Sequence, residues 1–589
     1  MKTHTLSVLA LFLLAVIVYS KPPTTSASPT ATLTLGATVI SEGDDFATRV
    51  LGIPWDMNGN PYPDFPTTLK NVDRNTFSVS NGFWNMTATN NDARIWLLWT
   101  GIQNTQKVLR MGDRFPIDAS KYKLLSFYMC SSADSFANVY WFYDRSPHDD
   151  PANGISNFLN VEAGCKLYVL ELTQGASVNS WSGNVLGLRL DPVNSAISFQ
   201  IKWVRLTTAD TTNVVPLSWS GAPGGTLDFY ISPTGCGAND GILIGSVDNA
   251  PSSGTFNWGS ALQPNPSPDT PFPLPESLEP GQYYVYMLDT ATGAVTCANS
   301  QLEIRQAPIL VFHKPSFYSG PDYASQVVGD PWGMSNAQDV QKASNFSSLS
   351  FNNGILQGVT SSNDPQIVLR VTQPIDTSKY KYATFNFRVD GTQNVGQGWV
   401  QRFIWWYQGP TIDAVITEDM IIYEGWHRYT VDLSTAFLEN GSWSGFPTTL
   451  RFDPAEPVPP LNLTIYLDYL TLTGDEIITS GDLFEIVYET EPAQGVTVTL
   501  YYDTDTNPDN GRTLIPPLPQ QPSVGPFLLY LPVIKSISAF ASEIGLPSGE
   551  RAYWDTTGVP AGTYYISADV SDGVTTTTWY SELPVIIID

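Results

Sequence analysis

Four histidines, four cysteines and seventeen tryptophans are the residues of this 589-residue chain whose chemistry is worth locating first. His4 lies in an apolar leader, and His148, His313 and His427 are scattered. None sits in an H-E-x-x-H, G-x-S-x-G, P-loop or dinucleotide pattern, so no frame exists in which an imidazole would act as base or ligand. Glycoside hydrolysis would need two opposed carboxylates. The densest acidic group, Asp413, Glu418, Asp419 and Glu424, has no supporting motif and reads as solvated loop. No catalytic residue is assigned, and the chain is expected not to be an enzyme.

Metal chemistry has one candidate. Asp503, Asp505, Asn507 and Asp509 alternate with other residues as oxygen ligands do where a calcium loop begins. Pro508 stands where an EF-hand loop needs its glycine, and no bidentate glutamate follows. An Asp/Asn/Gly hairpin is therefore the preferred reading. Asp44, Asp45 and Asp322 are also eligible carboxylates, so a structural calcium is the one cofactor entertained. The tryptophans offer a different chemistry. The apolar C–H faces of sugars stack on indole and phenol rings while neighbouring Arg, Asn and Asp bind hydroxyls.

These residues must be carried by strands. Short runs rich in Thr, Val, Tyr and Trp are cut by 45 Gly and 45 Pro, and no long segment has apolar residues at helical spacing. Ile534–Ile544 is the only modest helical candidate. At about 150 residues per domain the length predicts roughly four domains. The formal charge of −27 repels phosphate backbones and anionic lipid, which argues against nucleic-acid and membrane-surface partners. Residues 1–20 combine a basic start with an apolar run from Leu6 to Tyr19, as a secretory signal does. Residues 21–38 read as a flexible Pro/Thr/Ser spacer. No other segment is long and apolar enough to span a bilayer, so a secreted or cell-surface location is expected.

Two long segments match in order. Pro54-Trp55 and Met57 answer Pro331-Trp332 and Met334, and PIDASKYK from Pro116 answers PIDTSKYK from Pro374. Trp181-Ser182-Gly183 with Leu188–Pro192 answers Trp443-Ser444-Gly445 with Leu450–Pro454. Weaker matches follow each copy, including Gly281-Gln282-Tyr283-Tyr284 against Gly562-Thr563-Tyr564-Tyr565, where a tyrosine corner is expected. The reading is all-β, four sandwiches in an A–B–A′–B′ repeat at 39–210, 211–308, 309–476 and 477–589. Cys130 and Cys165 are both absent from the second A copy, which has Arg388 and Trp426 near those positions, and Cys236 and Cys297 are both absent from the second B copy. Cysteines lost together were bonded together, so Cys130–Cys165 and Cys236–Cys297 are the expected pairs, suited to an oxidising compartment.

The repeat also sorts the aromatics. Trp55/Trp332, Trp141/Trp405 and Trp181/Trp443 occur in both copies and read as core. Unshared ones are freer to bind. Alternation puts Trp96 beside Arg94, with Trp99 on the opposite, buried face; Trp406 shares a face with Arg402, and Trp399 lies on the other face of that strand. Trp96, Arg94, Trp399, Arg402 and Trp406 are the candidate ligand-binding residues.

Trp426 to Leu433, the W-x-G…LRxDP segment and Tyr466-Leu467-Asp468-Tyr469-Leu470 resemble the galactose-binding-like jelly rolls used as carbohydrate-binding modules. Trp554–Gly573 resembles immunoglobulin-like or fibronectin-type-III-like domains. Lys202 stands where the second copy has Asp468, a departure from the first family's pattern. The resemblance implies a non-catalytic exported protein that binds polysaccharide or cell-surface glycan through its jelly rolls. The alternatives are a structural or adhesive surface protein without a small ligand, and an accessory component of a glycoside hydrolase system.

Overall fold

The computed structural model describes residues 31–51, 54–57, 69–73, 76, 78–98, 115–143, 154–174, 180–209, 213–222, 224–263, 271–390, 400–408, 414–417, 420–422, 425–434, 438–456, 462–492, 494–517 and 550–589. The chain is nearly all β, as its composition predicts. Helical structure among the described residues is confined to single turns such as Ala47–Leu51 and Ala324–Val328. No described helix is long and apolar enough to cross a membrane.

Among the described residues, buried side chains form two large clusters, two smaller ones and a group of Leu124, Val169 and Leu274. In the first large sandwich a five-stranded sheet runs in the order Gly164–Glu171, Tyr122–Ser131, Ser198–Thr208, Phe83–Thr87, Ser78–Ser80. A second sheet, built on Ser135–Phe142, Gly187–Asp191 and Arg94–Leu98, covers it. Alternation aims Trp84, Phe127, Trp141, Leu188 and Leu190 into the space between. The second large sandwich uses Gly425–Asp432, Tyr382–Asp390, Thr464–Thr473, Ile355–Thr360 and Phe346–Asn352 in the corresponding order. Trp141 meets Trp181 edge-on at 5.4 Å between ring centroids, and Trp405 meets Trp443 edge-on at 4.8 Å. Trp181 donates its indole N–H to Tyr122 O, and Trp443 donates to Tyr380 O, both at 2.8 Å.

The smaller sandwiches correct the expected boundaries. Thr32–Leu35, assigned above to the spacer, is a strand antiparallel to Val215–Ser220. Leu33 and Leu35 are buried while Thr32 and Thr34 face out, an alternation of period two that the Pro/Thr/Ser composition obscured. Val39–Ser41 then pairs parallel with Ala294–Arg305. Likewise Ile309–Lys314, assigned above to the second large sandwich, pairs antiparallel with Leu483–Glu491 in the last small one. Each large sandwich is thus inserted after the opening strands of a small one, not strung before it. The tyrosine corners are as expected. Tyr283 donates to Glu279 O at 2.7 Å, and Tyr564 donates to Pro560 O at 3.0 Å.

Both disulfides join the expected partners, Cys130–Cys165 and Cys236–Cys297. Cys130 and Cys165 lie directly opposite one another on neighbouring antiparallel strands.

Candidate functional site

Of the predicted ligand-binding residues, the described ones, Arg94, Trp96, Arg402 and Trp406, do not form an open platform. Trp96 is 2% exposed and Trp406 is 7% exposed. Trp96 packs on Phe142 at 4.9 Å, and both belong to one apolar cluster with the core of the second large sandwich. The expectation that Trp96 faces solvent is therefore corrected. Its charged neighbours misled because they are themselves paired. Arg94 binds Asp92 at 2.8–2.9 Å, and Arg189, which lies over the Trp96 and Tyr140 rings, binds Asp191 at 2.8–2.9 Å. Arg402 is half-buried and stands opposite Asp453 across the strand pair. Trp399 and Trp99 fall outside the described residues, as do the leader, the acidic group Asp413, Glu418, Asp419 and Glu424, and Ile534–Ile544.

The oxygens of the Asp503 loop are engaged by neighbouring donors. Asp503 is buried and accepts hydrogen bonds from Thr504 N and Tyr580 Oη. Asp505 accepts from Asn507 N and Asn510 Nδ2, and Asn507 accepts from Asp509 N. The loop oxygens are turned onto their own turn. Asp45 accepts from Thr48 and Leu206 N, and Asp322 from Ser325 and Leu472 N. Asp44 binds Lys121 at 2.6 Å. Among the described residues no three His, Cys, Asp or Glu converge as metal ligands.

The Arg–Asp pairs have a consequence for pH. Arg451 binds Asp453 at 2.5 Å and Asp364 at 2.6 Å, matching Arg189 with Asp191. Burial nonetheless dominates, and it holds the Asp191 and Asp453 carboxyls up to about 6 against the pull of their arginines. Glu42, Glu279, Asp322 and Glu476 are raised for the same first reason. A carboxyl raised on folding stabilises the fold fully below its unfolded pKa and loses that contribution as pH rises through the folded one. Thermal melts are therefore expected to show a higher Tm at pH 5 than at pH 7.5, with Asp453→Asn flattening the slope. A Tm that falls steadily on acidification from 7.5 to 5 contradicts this.

An open platform lies elsewhere, on the outer face of the five-stranded sheet of the second large sandwich. Ser350, Gln357, Tyr466, Arg388 and Trp426 stand directly opposite one another across all five strands. Each strand alternates, so Leu467, Phe387 and His427 point inward while Tyr466, Arg388 and Trp426 are half-exposed. The Trp426 and Tyr466 rings are 6.2 Å apart, tilted by 48°. Arg388 lies 4.7 Å over Tyr466 and is gripped by Asp390 through two hydrogen bonds of 2.7 and 2.8 Å. Gln357 reaches Tyr466 Oη at 3.4 Å, and Asn386 donates to Asp468 at 3.0 Å. Burial raises the Asp468 carboxyl. The result is two ring faces flanked by amides and a charge-neutralised guanidinium.

The same row in the first large sandwich is Ser78, Asn85, Gln200, Cys130 and Cys165. The disulfide of one sandwich thus occupies the positions of Arg388 and Trp426 in the other. Sequence comparison of the copies marks this exchange, because Arg388 and Trp426 stand near the positions where the first copy has its cysteines. The other half of the signal was a tryptophan present in one copy.

No protein-family model matches the chain, and no curated protein matches it by sequence. Among solved structures, the glycoside hydrolase domain of Endo-D from Streptococcus pneumoniae aligns at 11% identity over 41% of this chain and 35% of that one, with a TM-score of 0.14. This chain thus spans about a third of that domain. Three N-terminal domains of the bacteriophage RB49 highly immunogenic outer capsid protein align at 9% identity over 64% and 93%, with a TM-score of 0.10. Extracellular domains 3–5 of Drosophila OTK align at 11% identity over 63% and 91%, with a TM-score of 0.11. These are likenesses among β-rich multidomain proteins, and at such TM-scores no functional argument is built on them.

Proposed function

We propose that the chain is a doubled unit, each half a jelly roll inserted in an immunoglobulin-like sandwich, and that it is an exported, non-catalytic glycan-binding protein. The carrying observation is the half-exposed row Trp426, Arg388, Tyr466 and Gln357, in which Arg388 and Trp426 stand where the other copy has a disulfide and are therefore not demanded by the fold. Tilted aromatic faces beside amides suit sugar rings, which present C–H faces and hydroxyls together. Asp390 neutralises Arg388 and the chain carries a net charge of −27, so an uncharged polysaccharide is favoured over an acidic one.

Pull-down on insoluble neutral polysaccharides and a glycan array test this. Trp426→Ala is expected to weaken binding about tenfold to a hundredfold, since a buried aromatic contact contributes ~1.5–3 kcal/mol. Binding to no glycan, or equal binding by wild type and variant, removes the reading and leaves a structural or adhesive role.

A further inference from the structure

The sheet that carries the Trp426 platform ends in a strand with a free edge. Phe346–Asn352 closes the order Gly425–Asp432, Tyr382–Asp390, Thr464–Thr473, Ile355–Thr360 and pairs only with the last of these. After a register shift between Phe346 and Ser348, residues 348–352 run opposite 359–355 without interruption. The unpaired backbone N–H and C=O groups of such a strand are a template for another strand, and folds blunt it with charge, proline or shortness. Every other described end strand of the four large-sandwich sheets either carries a charged residue or runs for three residues or fewer. The equivalent strand of the first copy is Ser78–Ser80. Phe346–Asn352, with the sequence FSSLSFN, has seven residues and neither charge nor proline.

Its side chains suit pairing with themselves. Phe346, Leu349 and Phe351 lean on the core yet stay partly exposed, leaving apolar area that a further strand would cover. Ser348, Ser350 and Asn352 lie on the outer face and are small and uncharged. An antiparallel two-fold pairing centred on Ser350 uses all five residues of unbroken register. It sets Leu349 against the partner's Phe351 on the core side and Ser348 against the partner's Asn352 outside. Ser350 meets its own copy.

We infer that this strand is a homodimer interface, joining two copies of the chain edge to edge in one ten-stranded sheet. The outer row Trp426, Arg388, Tyr466, Gln357 and Ser350 then continues into the same row of the partner, reversed. Nine strand spacings of about 4.8 Å put the two Trp426 positions about 43 Å apart on one face. The dimer does not rest on the glycan reading. On that reading it offers a polymeric ligand two sites on one surface.

The four native cysteines are already paired, so an introduced one reports the register. Directly opposite residues on antiparallel strands have Cβ atoms about 4.5–5.5 Å apart, within reach of a disulfide, as Cys130 and Cys165 show. Mild oxidation of the full chain carrying Ser350→Cys is expected to give a covalent dimer. Ser348→Cys lies about 14 Å from its own copy in this register and should give none. Sedimentation of the wild-type chain at about 100 μM in about 0.15 M salt, where exposed charges are screened beyond about 8 Å, should show twice the monomer mass. Ser350→Lys sets two ammonium groups opposite one another and should weaken association about tenfold or more with thermal melts unchanged. Trp426→Ala should leave it intact. A monomer at that concentration, or a Ser350→Cys chain that stays unlinked, overturns the proposal. So does a dimer that Ser350→Lys leaves as tight, or linking through Ser348→Cys as efficient as through Ser350→Cys.

Discussion

Glu42→Ala is expected to destabilise the first half of the chain by about 3–5 kcal/mol, the cost of stranding one partner of a buried ion pair. Glu42 and Arg205 side chains are 3% and 6% exposed and lie 2.8 Å apart. Glu42 follows Val39–Ser41, the strand that leaves the small sandwich, and Arg205 belongs to Ser198–Thr208 of the large one. Its other oxygen accepts from Ala307 N, just beyond the strand Ala294–Arg305. One carboxylate therefore ties the chain's entry into the inserted sandwich to that sandwich and to the end of its host. Removing it leaves the buried guanidinium without its hydrogen-bonded carboxylate, with the Gly43 carbonyl and the more distant charge of Asp45 remaining. The double variant Glu42→Leu with Arg205→Met should recover most of the loss, because replacing both charges with apolar groups is often nearly neutral. Urea denaturation of the two single variants and the double decides it. A double variant as unstable as the sum of its parts would falsify the coupling.

Such a pair also shows where sequence reading stops. The strands, the tyrosine corners and both disulfides followed from alternation, from Gly-x-Tyr-Tyr steps and from cysteines lost in pairs, all of which are local or repeat-level signals. Insertion of one sandwich in another is not local. Thr32–Leu35 pairs with Val215–Ser220, about 180 residues away, and a four-residue strand in a Pro/Thr/Ser stretch leaves only two buried leucines as its trace. Trp96 failed for a related reason. Alternation fixes which residues share a face, but not whether a second body covers that face. Arg94 looked like a marker of solvent because its partner, Asp92, could not be assigned without the fold. Trp426 was within reach, since the comparison that paired the cysteines also set it opposite one of them.

The same comparison makes its strongest claim about tryptophans, and identical substitutions should separate the two kinds. Trp141 and Trp405 are fully buried and each packs edge-on against a second indole. Trp141→Ala and Trp405→Ala each remove a full aromatic side chain from a close-packed interior. Each is expected to cost about 3–5 kcal/mol in its own large sandwich, from lost transfer energy and the cavity left behind. The lost edge-on pair adds about 0.5–1.5 kcal/mol. Trp426 is half-exposed on a sheet face, so Trp426→Ala leaves no internal cavity and is expected to cost about 1 kcal/mol or less. Urea midpoints of the three variants, set beside their glycan binding, divide the possibilities. Loss of binding with an unchanged midpoint identifies Trp426 as a contact residue. A midpoint for Trp426→Ala as low as that for Trp405→Ala makes it part of the core, and the open platform then goes the way of Trp96.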